Sequence, residues 1–149
     1  MVDPQTLQKY SLFGGLLEKQ IENILPLMEQ ENFDPDTEII IEGRPNDKIQ
    51  FIIEGEVEVT KGGVVLSHLG EGQIFGEMEV LDVMPSIATI KSLSPVKVMS
   101  FSNKAMRLIY KIDIKTFSLI IMNLARDLSR RLRKMDEMVA ASSDIRKAP

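Results

Sequence analysis

Ile49-Gln50-Phe51-Ile52-Ile53-Glu54-Gly55-Glu56-Val57-Glu58-Val59-Thr60-Lys61-Gly62-Gly63-Val64-Val65-Leu66-Ser67-His68-Leu69 is the stretch that decides the fold class. The run from Ile49 to Ile53, apolar but for Gln50, is followed by Gly55. Val57 and Val59 then alternate with Glu56, Glu58 and Thr60, the period of a strand with one buried face. Lys61-Gly62-Gly63 is hairpin chemistry, and 64–69 reads as the returning strand. Upstream, Ile39 to Ile41 lead into a turn at Gly43-Arg44-Pro45-Asn46-Asp47. Downstream, Gly70 and Gly72 precede Ile74-Phe75, and Ser94-Pro95 separates Ile87 to Leu93 from Val96 to Phe101. Roughly eight short strands at this spacing predict an antiparallel sandwich, barrel or roll over about 32–102.

Helical periodicity flanks this region on both sides. Asp3 or Pro4 opens a short helix through Leu7. Leu16, Leu17, Ile21, Ile24, Leu25 and Met28 then recur at helical spacing until Asp34-Pro35-Asp36. Pro26 predicts a kink or break within that pattern. After the strands, Ser102-Asn103 caps a helix to about Tyr110, and a longer helix runs from about Asp113 to Val139. Its stripe of Phe117, Ile121, Leu124, Leu128, Leu132, Met135 and Val139 steps by three and four, as a coiled-coil seam does. Positions 140–149 read as a flexible tail. The domain reading is one unit over 1–139, with the strands at about 32–102 and the C-terminal helices at about 103–139.

Composition narrows the chemistry. The 149 residues suit one domain, and 44% hydrophobic with 27% charged residues is a globular balance. Without cysteine there are no disulfides, thiolate metal sites or cysteine nucleophiles, and the chain suits a reducing cytoplasm. His68, the single histidine, rules out a histidine-rich metal site, and no G-x-S-x-G turn accompanies it. Catalytic and metal residues are therefore expected to be none. A net charge of −4 gives no overall attraction for nucleic acid, and no apolar run is long enough for a membrane span.

The chemically informative segment is Gly70-Glu71-Gly72-Gln73-Ile74-Phe75-Gly76-Glu77-Met78-Glu79-Val80-Leu81-Asp82-Val83-Met84-Pro85-Ser86-Ile87-Ala88-Thr89. A strand ends at Phe75, a glycine turns the backbone, and a short helix opens near Glu77 with free N–H groups that favour an anion. With Ile40-Ile41-Glu42-Gly43, Phe51 to Val59, Phe75-Gly76-Glu77 and Pro85 followed by Ala88-Thr89 in that order, the chain resembles the cyclic-nucleotide-binding domain family. That family includes catabolite-activator-type regulators and regulatory subunits of cyclic-AMP-dependent kinase. The resemblance covers about Leu12 to Met135. It implies a mainly β fold with flanking helices: an eight-stranded antiparallel β-roll, jelly-roll-like in the manner of a double-stranded β-helix, with N-terminal helices and a long C-terminal helix. It also implies a ligand cradled between the roll and the last helix.

By position, the resemblance makes Glu77 the acceptor for a ribose 2′-hydroxyl and sets Gly76, Met78 and Glu79 where backbone amides approach a cyclic phosphate. The pattern then departs. Ser86 stands where the family has a phosphate-pairing arginine, and Ile87 stands where a small or hydroxylated residue is usual. Glu79 replaces a small residue, and there is no basic residue between Gly70 and Ile90. A charged hydrogen bond contributes about 1.5–3 kcal/mol, so binding is expected to weaken roughly ten- to several-hundred-fold. The functional expectation is a non-enzymatic, cytoplasmic sensor domain with a weakly bound cyclic nucleotide, cyclic AMP or cyclic GMP, and no required cofactor. The alternative is a ligand-free scaffold acting through protein contacts.

The last helix is expected to form a homodimer seam through Leu124, Leu128, Leu132 and Met135, as in catabolite-activator-type relatives. Arg126, Arg130, Arg131, Arg133 and Lys134 flank that seam and read as a solvated face rather than a DNA-binding surface. A helix-turn-helix needs two further helices, and only about ten residues follow Val139. The chain alone is expected to bind neither DNA nor a membrane.

Overall fold

A computed structural model describes residues 2–147. Eight strands form two four-stranded antiparallel sheets that close into a roll. The first sheet has the order β1-β8-β3-β6, from β1 (Glu29–Phe33), β3 (Lys48–Glu54), β6 (Ile74–Phe75) and β8 (Val96–Ser102). The second has the order β2-β7-β4-β5, from β2 (Glu38–Ile40), β4 (Val57–Lys61), β5 (Val64–Leu69) and β7 (Thr89–Ser92). The hairpin at 57–69 is present as the alternation requires, with Val57 opposite Leu69 and Lys61 opposite Val64.

β3 is buried from Ile49 to Ile52 because both of its faces are covered, and Gln50 is the one polar residue in that run. Ile49 and Phe51 point to the helices, joining Ile74, Met99 and Phe101 in the larger core. Ile52 points into the roll with Phe75, Val57, Ile90 and Val98. The helical side is built by α1 (Pro4–Leu7), α2 (Glu18–Ile24), α4 (Asn103–Ile112) and α5 (Ile114–Lys147). Leu12, Phe13, Ile21, Ile109, Ile120 and Leu124 fill that core, and the Phe13 and Phe51 rings meet edge-on at 5.5 Å. Pro26 sits in a 3₁₀ turn, Leu25–Leu27, which ends α2 as the missing N–H dictates.

α5 starts sharply. Asp113 Oδ1 accepts from the amides of Lys115 and Thr116, and Thr116 Oγ1 donates to Asp113 Oδ2 at 2.6 Å. These bonds hold the Asp113 carboxyl below its ordinary range. Asn123, buried on the same helix, donates to the Leu12 and Gly14 carbonyls at 3.0 and 2.9 Å and so ties α5 to the N-terminal segment.

Two expectations change here. The helix does not stop at about Val139, so most of the segment read as a tail is helical. It continues to Lys147 through Ala140 and Ala141, which are good helix formers, and positions 148–149 lie outside the described residues. Leu124 is not part of an outward seam. At 1% exposure it packs into the chain's own core, because the stripe drifts around the helix and only its far end clears the roll.

Candidate functional site: the turn and short helix after β6

β6 delivers the chain to Gly76, whose φ of +81° lies in the left-handed region. A Cβ there would sit 2.5 Å from the Lys48 carbonyl and 2.8 Å from the Asn46 amide nitrogen, so only glycine fits. Asn46 Nδ2 fastens the turn by donating to Lys48 O at 2.9 Å and Gly76 O at 3.0 Å. α3 (Glu77–Asp82) follows at once, with Glu77 in its first turn. The first-turn amides, among them those of Met78 and Glu79, have no acceptor within the helix. The helix ends on Val83, at φ +58°, an unfavourable conformation for a β-branched residue.

Glu77 is 2% exposed. Its carboxylate does not stand alone: Arg131 of α5 brings Nη1 to 2.6 Å from Glu77 Oε1. The same guanidinium donates to the Ile74 carbonyl and forms an ion pair with Asp127 at 3.1 Å. Burial pushes the Glu77 carboxyl above its ordinary range, and the Arg131 charge pulls against that shift. Two carboxylates and a carbonyl thus share one guanidinium, and the cation carries little unspent charge.

The second half of the segment is spliced onto the β2–β3 turn. Gly43 N donates to Ser86 O at 2.7 Å, and Ser86 N donates to Arg44 O at 2.9 Å. Lys61 Nζ reaches across from the hairpin to the Ile87 carbonyl at 2.8 Å, and Glu42 N donates to Thr89 Oγ1 at 3.1 Å. Ser86 is 3% exposed, and its hydroxyl has no hydrogen-bond partner in the chain. Ile87 and Met78 are exposed, and Glu79 is half-buried. The structure therefore sets Gly76, Glu77, Met78 and Glu79 on one turn and Ser86 and Ile87 on the strap that returns to the roll.

A family profile described as the cyclic nucleotide-binding domain matches residues 30–113, more than half of the chain and the whole of this turn. The chain belongs to the cyclic nucleotide-binding domain family. Over 96 residues it is 30% identical to a cAMP-dependent protein kinase regulatory subunit of Yarrowia lipolytica, covering 64% of this chain and 26% of that one. Over 141 residues it is 24% identical to a CRP-like cAMP-activated global transcriptional regulator of Mycobacterium tuberculosis, covering 91% and 61%. The chain thus spans between about a quarter and three-fifths of these relatives' lengths. A cyclic nucleotide-binding domain from Methylobacillus flagellatus superimposes with a TM-score of 0.84 at 23% identity over 94% of this chain and 82% of the other, a likeness of fold.

Arg131 escaped the sequence reading, which grouped it with a solvated basic face. The signal was its phase. Leu124, Asp127, Leu128 and Arg131 fall at i, i+3, i+4 and i+7, so Arg131 continues the roll-facing stripe. Arg130 and Arg133 point away and are exposed. Among the described residues no group of three metal-ligating side chains is gathered, and no helix is long and apolar enough to cross a membrane.

Proposed function

We propose that this chain is a non-enzymatic regulatory domain that binds a cyclic nucleotide, cyclic AMP or cyclic GMP, weakly at the Gly76–Glu79 turn. The observation that carries this reading is Glu77. A glutamate held almost fully buried behind a left-handed glycine, beside free first-turn amides, suits a sugar hydroxyl next to a phosphate. The residues fit the sugar end of such a ligand better than its charge. Ser86 brings a hydroxyl and no cation, and Arg131 is already shared between Glu77 and Asp127.

Because Arg131 belongs to α5, a ligand that draws on Glu77 alters the last anchor between that helix and the roll, and α5 is the output element. Beyond Arg131 every residue with a described side chain, 132–144, is exposed, and Leu132, Met135 and Val139 are 60–65% exposed. A second copy of the chain is the proposed cover for that face, with half-buried Leu128 at its inner limit. The domain is proposed to act in the cytoplasm and not to read DNA by itself. The ligand-free scaffold remains the second reading, favoured by one observation: Arg131 already satisfies Glu77 without a ligand.

Isothermal titration of cyclic AMP and cyclic GMP into the wild type beside Ser86→Arg tests the reading. The expected result is micromolar or weaker wild-type affinity, tightened at least about tenfold by Ser86→Arg through a charged hydrogen bond. Nanomolar wild-type binding refutes the weak-site argument. Binding by neither protein favours the scaffold.

A further inference from the structure

Gln50 is a buried amide whose oxygen has no partner. β3 and β6 pair with Gln50 opposite Phe75 and Phe51 opposite Ile74. Phe51 and Ile74 belong to the helix-side core, whereas Phe75 lies in the roll interior. Residues directly opposite one another in a ladder share a face, so Gln50 projects into the roll beside Phe75, the residue that precedes Gly76. Gln50 is 4% exposed, and its Oε1 makes no hydrogen bond.

Ser86 Oγ, on the strap bonded to the β2–β3 turn, is another buried polar atom without a partner; the third among the described residues, Asp127 Oδ2, has the Arg131 guanidinium at 3.1 Å. The rest of this interior is Ile40, Ile52, Val57, Ile90 and Val98. An unpaired buried amide costs stability there, and leucine would fill much the same volume without that cost. Gln50 lies beside Phe75 and Ser86 on the strap bonded to Gly43 and Arg44, and two such orphaned groups point to a partner that is not part of the chain.

We infer that Gln50 and Ser86 are ligand-binding residues, an uncharged amide and hydroxyl that hydrogen-bond the phosphate end of the nucleotide in place of a cation. This rests on the cyclic-nucleotide reading of the site and adds to it the group that replaces the arginine. The amide can turn about its last bond to present N–H to a phosphate oxygen, and the hydroxyl rotates freely. Neutral donors are roughly half as strong as charged ones, which agrees with a weak site. The same pair of groups also sets a preference for ligands that tolerate uncharged recognition over those needing a full counter-ion.

The test is Gln50→Leu, read in two ways: urea unfolding without ligand, and titration with cyclic AMP and cyclic GMP. The expected outcome is a raised unfolding midpoint together with affinity lowered about tenfold, as for loss of one hydrogen bond to a charged group. Gln50→Met and Ser86→Ala should move both readouts in the same directions. A structural glutamine would behave oppositely, so a lowered midpoint, or failure of both Gln50 variants to fold, overturns the inference. So does unchanged affinity in Gln50→Leu when the wild type binds. A wild type that binds neither nucleotide removes the cyclic-nucleotide reading itself, and the inference with it.

Discussion

Replacing Arg131 by methionine keeps most of the side-chain volume on α5 and removes the cation that faces Glu77. Glu77 is left with a side chain 3% exposed and two acidic neighbours, Asp127 and Glu79. Breaking a buried pair from one side typically costs about 3–5 kcal/mol. Arg131 itself is 31% exposed, and the Glu77 carboxyl is already pushed up by burial, so it can escape part of the cost by taking a proton. The expected loss at about pH 7.5 is therefore nearer ~2–3 kcal/mol. The sign follows from the direction of the shift. An acid whose folded pKa lies above its unfolded value favours folding fully below the unfolded pKa and loses that contribution as pH rises through the folded pKa. Without Arg131 the folded value rises further, so the deficit relative to wild type should be small near about pH 4.5 and grow toward neutrality. Glu77→Gln with Arg131→Met should be less destabilised at about pH 7.5 than Arg131→Met alone. Urea unfolding followed by circular dichroism at both pH values measures this. Equal deficits at the two pH values, or strict additivity in the double variant, would refute a buried ion pair at this position.

Asn123→Leu strands the Leu12 and Gly14 carbonyls and should cost about 3 kcal/mol, with faster hydrogen exchange over 11–16. A loss under about 1 kcal/mol would show that water replaces the amide. Val83→Asn relieves a left-handed valine that is 83% exposed, so stability should rise by about 1 kcal/mol in thermal or urea unfolding. No gain would mean that this turn carries no strain. For the proposed dimer, sedimentation of the wild type at tens of micromolar should give two copies, and Leu132→Glu with Met135→Glu should give one with the roll intact. A monomeric wild type ends that proposal.

What the sequence disclosed follows from how locally each feature is specified. The 57–69 hairpin, the glycine before Glu77 and the Ser102 cap are each set by a few adjacent residues, and all stand where the pattern placed them. The strands begin slightly earlier than the reading, at Glu29 rather than Asn32, because β1 pairs with β8 across a polar sequence with no alternation to announce it. Arg131 and Gln50 were missed for a different reason. Their roles depend on which face an element turns to a partner 54 and 25 positions away in sequence, Glu77 for the first and Phe75 for the second. Leu124 was assigned outward because a stripe of three-and-four steps fits a coiled-coil seam and a core-facing face equally well, and only packing distinguishes them.

Amide chemical-shift mapping by NMR, with cyclic AMP and cyclic GMP titrated into the wild-type chain, tests the central claim most directly. The account predicts saturable shifts at 76–79 and 86–88, with a smaller response in α5 around Arg131, at micromolar or higher nucleotide. Shifts scattered elsewhere, or none at several millimolar of either nucleotide, would contradict it.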